Sequence, residues 1–182
     1  MSGQADEIMW QGRFIVARRK GTWEYVTRAR GIRAAVILAI DVDERGDEHV
    51  ILVEQFRVPL GKPCIELPAG LIGDHDACAD ENPAVAAARE LEEETGYRAA
   101  RMEVIGEFYS SPGMVSESFT LLRAHGLAKV SEGGGTAGEN ITVHRVPLTR
   151  IAEAIAQWRS RGYGIDVRML MLLGPGLPGT RS

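Results

Sequence analysis

Three glutamates, Glu90, Glu93 and Glu94, lie at i, i+3 and i+4 within Arg89-Glu90-Leu91-Glu92-Glu93-Glu94-Thr95-Gly96-Tyr97. On a helix that spacing stacks three carboxylates on one face, at a cost of about 0.2–0.5 kcal/mol per like-charged pair. The acids also crowd the C-terminal, partially negative end of such a helix. A divalent cation offsets both costs, because hard ions such as Mg²⁺ take oxygen ligands and keep positions open for phosphate oxygens. A solvated acidic face is the competing reading, and a run of glutamates alone would favour it.

The flanking residues must then place these carboxylates. Asn82 offers an N-cap, Pro83 occupies the favoured first helical position and Gly96 can end the helix. Between them Ala84, Ala88, Leu91 and Thr95 recur at steps of three and four, giving a small apolar face for docking. Upstream, Phe14 to Arg18 and Trp23 to Arg28 read as a hairpin across Lys20-Gly21. Ala34 to Ile40 and Val50 to Gln55 are apolar runs of buried strands joined by a charged turn. A short extended piece, Cys64 to Leu67, leads into Pro68-Ala69-Gly70. Downstream, strands are expected at Met102 to Phe108, Phe119 to Ala124 and Ile141 to Val146. A helix is marked by Ile151, Ile155 and Trp158, and Asp166 caps a short element running to Leu173. The glycine-rich stretch from Glu132 to Gly138 reads as a mobile loop. Strands on both sides of a central helix make an α/β sandwich.

At 182 residues and 19.8 kDa, with 45% hydrophobic and 25% charged residues, the chain has material for one packed core. Its net charge of −4 and pI of 5.6 lack the basic footprint that nonspecific nucleic-acid binding needs. The longest apolar runs are far shorter than the roughly 18 residues of a membrane span, and Met1 to Glu7 is polar. Cys64 and Cys78 fit no metal spacing and read as free thiols. These features lead us to expect a cytoplasmic protein without nucleic-acid or membrane partners.

The string Arg-Glu-apolar-x-Glu-Glu-x-Gly-apolar from Arg89 to Tyr97 resembles the box of the Nudix hydrolases, and Glu81 matches its upstream glutamate. In that box a glycine stands six positions before the upstream glutamate; here the position is His75. The natural glycine is Gly70, which makes His75 to Ala79 a five-residue insertion. The resemblance implies a Nudix-type α/β/α sandwich with a mixed central sheet and an N-terminal β-hairpin. It divides the chain into an N-terminal β segment, 1–30, that dimerises, and a Nudix hydrolase domain, 31–182. It further implies Mg²⁺ or Mn²⁺ held by Glu90, Glu93 and Glu94 with the Ala69 carbonyl, Glu93 counting also as catalytic. Glu81 would pair with Arg89.

Pro112, in Ser110-Ser-Pro-Gly-Met114, lies fifteen positions after Tyr97, as in the ADP-ribose pyrophosphatase group; a tight turn explains the same residues. Trp23-Glu-Tyr-Val26, Val53-Glu-Gln-Phe-Arg57 and Glu66-Leu-Pro-Ala-Gly70 also look like that group. The implied activity is hydrolysis of a nucleotide sugar by a homodimer, ADP-ribose giving AMP and ribose 5-phosphate. GDP-mannose or a non-catalytic ligand-binding role are the alternatives. Arg28, Arg57 and Met114 are then the expected substrate contacts, with plain salt bridges the other reading for the arginines. Trp10 and Trp23 either stack on the base or pack. The attacking water needs a base: Glu139, beside the glycine-rich loop, is the candidate, with Glu117 its rival and a solvated loop acid the bland reading.

Overall fold

The computed structural model describes residues 5–29, 33–72, 82–136 and 138–174. Its centre is β4 (Arg33–Val42), whose Ala34, Val36, Leu38 and Ile40 point to one face and Ala35, Ile37 and Ala39 to the other. Both faces are buried, as a continuous apolar run requires. On one side of β4 lies β5 (Glu48–Arg57), antiparallel, followed by β6 (Lys62–Glu66) and β11 (Gly164–Ile165). On the other side β9 (Ser118–Lys129) runs parallel to β4 and pairs antiparallel with β8 (Tyr97–Tyr109). Two further strands, β7 (Ala69–Ile72) and β10 (Thr142–Pro147), pair with β4 and β5. The sheet is therefore mixed.

One helical layer is α1 (Pro83–Thr95), whose Ala86, Ala87 and Leu91 pack on Ile37, Ile51 and Leu122. Opposite, α2 (Ile151–Ser160) and a 3-10 segment (Val167–Leu173) pack Ile155, Trp158 and Met169 on Leu38, Leu52 and Ile65. This is the expected α/β/α sandwich. The caps of α1 are as expected: Asn82 Oδ1 accepts the N–H of Ala84 at 2.9 Å, and Gly96 sits at φ 71°. The buried stripe of α1 is rotated from the expected one, since Ala86, Ala87, Leu91, Glu94 and Thr95 face inward. Docking has chosen the face that takes Glu94 inside.

The N-terminal element is larger than a hairpin. β1 (Asp6–Gln11) joins β2 (Ile15–Lys20) and β3 (Trp23–Arg28) in a separate three-stranded antiparallel sheet. Every residue of β1 is exposed, so its apolar pattern carried no burial signal. Cross-strand charges hold it instead: Arg18 to Asp6 and Arg19 to Glu7, each at 2.7 Å. The sheet meets the body through the turn at 110–117, where Val26 N–H donates to Met114 O and Ser116 N–H to Val26 O, both at 3.0 Å. Trp10 and Trp23 are 57% and 64% exposed, and the Trp10 ring lies over Gly12, where a Cβ would stand 2.3 Å from it. Glu81 and the insertion 75–79 lie outside the described residues.

Candidate active site

The acidic face of α1 lies across β7. A Cβ on Gly70 would stand 2.1 Å from Cγ of Glu90, so only glycine there lets this side chain cross the strand. One turn later Glu94 is buried, and its Oε2 accepts the N–H of Ala69 at 3.0 Å. Arg89 donates to Glu90 Oε1 at 3.3 Å. Glu93 is exposed, lining a cleft with Arg89, Arg98 and Ser131.

Burial pushes the Glu94 carboxyl up to about 8; the Ala69 N–H opposes this, while the charges of Glu90 and Glu139 add to it. Glu90 is also raised, by burial first, against the pull of Arg89 and with the repulsion of Glu93 and Glu139. Among the described residues no three acidic, histidine or cysteine side chains already close around one point. What stands there is a set of mutually repelling oxygen donors, one of them buried with a single hydrogen bond. That donor chemistry fits a hard divalent cation.

The glycine-rich segment is not the mobile loop expected from its composition. Gly134 N–H donates to Glu94 O at 2.8 Å and Gly135 N–H to Glu93 O at 3.0 Å, taking up carbonyls that a helix end leaves unpaired. Lys129 Nζ adds a bond to Thr95 O at 3.0 Å. A Cβ on Gly133 would stand 2.4 Å from the Thr95 carbonyl carbon, so the close approach needs glycine. The clamp sets Glu139 near the α1 carboxylates. Thr136 holds Glu139 Oε2 through its N–H at 2.6 Å and its hydroxyl at 2.9 Å. Glu117 is paired instead with Arg28, whose Nε donates to its Oε1 at 2.6 Å.

Beside Ala69 and Gly70 opens a cavity of about 430 Å³ that includes Arg28, Arg57, Glu66, Glu117 and Arg168 in its walls. Arg57 is at this wall as expected, and it also makes the salt bridge of the other reading, with Nε and Nη2 reaching Glu66 at 2.6 and 2.9 Å. Met114 is 66% exposed and lines a different cleft, with Met9, Tyr25 and Val26. Glu66 is not among the site residues that the sequence points to. Its signal was an acid inside an apolar strand, which demands a buried partner.

A mixed sheet lies between helical layers, and a carboxylate-bearing helix crosses a glycine strand beside an arginine-lined cavity, which sets oxygen donors next to cationic side chains. The family model described as NUDIX domain matches residues 31–163, and the chain belongs to that family. It is 34% identical over 169 residues to an uncharacterized Nudix hydrolase of Schizosaccharomyces pombe, covering 90% of this chain and 80% of that one. It is 36% identical to the GDP-mannose pyrophosphatase of Cronobacter sakazakii over 79% of this chain and 72% of that protein. The ADP-sugar pyrophosphatase of Mus musculus is 44% identical over 51% of this chain, which spans only 42% of that protein. A crystal structure described as an ADP compounds hydrolase shares the fold, with TM-score 0.66 and 22% identity over 93% of this chain and 89% of that one.

Proposed function

We propose that this chain hydrolyses the pyrophosphate bond of a nucleoside diphosphate sugar with Mg²⁺ or Mn²⁺, taking ADP-ribose to AMP and ribose 5-phosphate. The observation that carries the reading is the gathering of Glu90, Glu94 and Glu139 at the Ala69–Gly70 strand, beside a cavity walled by Arg57. Relatives named as ADP-sugar and GDP-mannose pyrophosphatases support the substrate class.

Glu90, Glu93 and Glu94 would hold the cation, with the Ala69 carbonyl as a backbone ligand. A bound divalent ion neutralises pyrophosphate charge and makes a water easier to ionise. Glu139 would take the attacking water's proton on Oε1 while Thr136 keeps hold of Oε2. Arg57 and Arg28 donate to the phosphates from the cavity wall. Glu93 acts from the exposed side of the same helix face.

The protein is read as a homodimer paired through its N-terminal sheet, residues 1–30, against a catalytic unit of 31–182. Ile8, Met9, Trp10, Phe14, Ile15 and Trp23 are exposed on or beside that sheet, and a two-fold contact would cover them. The buried free thiol of Cys64 suits a reducing cytoplasm. The test is a panel of ADP-ribose, ADP-mannose, GDP-mannose, NADH and diadenosine diphosphate with Mg²⁺, products resolved chromatographically. AMP and ribose 5-phosphate as the fastest products support the reading. Faster release of GMP and mannose 1-phosphate moves the substrate to GDP-mannose, and no turnover of any member overturns the activity.

A further inference from the structure

Glu66 is the most buried acid on the cavity wall, its side chain 4% exposed, and one of its oxygens serves two guanidinium groups. Oε2 accepts Nη2 of Arg57 at 2.9 Å and Nη2 of Arg168 at 3.4 Å. Arg168 comes from the 3-10 segment near the other end of the chain, 102 positions away. It is pinned from behind, because Asp166 receives its Nε at 2.7 Å, its Nη2 at 2.6 Å and its backbone N–H at 2.8 Å. The guanidinium also lies over the Phe119 ring, 5.7 Å from the centroid. Arg168 is only 18% exposed, whereas Arg57 is 43% exposed and uses just Nε and Nη2 on Glu66. Nη1 of Arg57 has no hydrogen-bond partner among the described residues. One guanidinium is thus a buried strut and the other faces the cavity.

We propose that Asp166 and Arg168 are positioning residues, acting through the shared carboxylate of Glu66 to fix the Arg57 guanidinium against the substrate's phosphates. The proposal rests on the functional reading above for the identity of the phosphates. A bidentate pair sets the plane of a guanidinium, and a second donor on the same oxygen stops the carboxylate from turning about its own bond. Without Arg168 the Glu66–Arg57 pair survives but its orientation is lost. Misplacements of this kind cost up to about 10²-fold when the group must meet a reacting phosphate.

The experiment compares wild type, Arg168→Met, Arg168→Lys, Arg57→Lys and the Arg168→Met/Arg57→Lys double variant. Steady-state turnover of ADP-ribose with Mg²⁺ is measured, together with metal-free calorimetric binding of ADP-ribose and the ¹⁵N spectrum of arginine Nε–H groups. Arg168→Met should raise KM about tenfold with kcat within threefold, and should shift or broaden the Arg57 Nε–H signal. It should add nothing once Arg57 is already Lys, the non-additivity expected of residues acting as one unit. Arg168→Lys, which keeps the charge without the fork, should recover only part of the affinity. A KM within twofold of wild type, additive losses in the double variant, or an unmoved Arg57 signal would overturn the proposal. If wild type turns over no nucleotide sugar, the functional reading fails by itself. Binding of ADP-ribose and the arginine spectrum then still decide the positioning role, and absent binding counts against it.

Discussion

Replacing Glu94 by Gln removes a charge from inside the protein while keeping an oxygen able to accept the Ala69 N–H. The folded carboxyl sits at about 8 against an ordinary 4.5, chiefly because of burial. The folded state therefore binds this proton more tightly than the unfolded chain does, and ionisation costs stability. The cost is small below pH 4.5, grows across the window to pH 8, and levels off above it. Linkage makes it about 1 kcal/mol at pH 5 and at most about 3 kcal/mol at pH 7. For a chain of this size each kcal/mol moves the melting point by about 2–4 °C. In EDTA, Glu94→Gln should thus melt several degrees above wild type at pH 7 and nearly with it at pH 5. Mg²⁺ should raise the wild-type midpoint and leave the variant's almost unmoved, with kcat down by orders of magnitude. Thermal melts at three pH values, with and without Mg²⁺, read all of this. A variant less stable than wild type at pH 7 in EDTA, or a gap that does not widen with pH, would refute the argument.

Glu139→Gln should cut kcat by about 10²–10⁴-fold with KM barely changed, read in the ADP-ribose assay. If Glu117→Gln lost the rate instead, the base would be Glu117. Gly70→Ala places a methyl carbon where Glu90 crosses, so turnover should collapse while circular dichroism stays native; an active variant would show that Glu90 does not need this path. Light scattering should give twice 19.8 kDa, near 40 kDa, and Trp10→Ser with Trp23→Ser should shift it toward monomer. A single 20 kDa species at assay concentration in wild type would remove the dimer.

Much of this fold is local chemistry. Asn82, Pro83 and Gly96 mark the ends of α1 within a few residues of themselves, and β4 announces its double burial by an unbroken apolar run. The three glutamates likewise declare their shared face by spacing alone. What stayed illegible depends on partners far along the chain. The rotated face of α1 follows from Glu94 meeting Ala69, 25 positions earlier. The glycine-rich segment looks unstructured by composition because its partners are the carbonyls of Glu93 and Glu94, which no pattern of side chains advertises. β1 is exposed throughout and shows no alternation to read. Arg57 invites an anionic partner by its type and place, but the carboxylate that takes it, Glu66, stands on the neighbouring strand, nine positions later.

The two glycine amides on the carbonyls of Glu93 and Glu94 hold the C-terminal end of α1 fixed, while Ala86 and Ala87 seat its other half on the sheet. Its carboxylates sit at the fixed end, while chain enters at Asn82, more than two helical turns away from Glu93. A length change ahead of Asn82 that leaves the Gly134 and Gly135 bonds in place should leave Glu93 and Glu94 aimed as they are. Changes in the segment from Gly133 to Thr136 carry no such freedom, for they would shift the helix end and Glu139 in the same stroke.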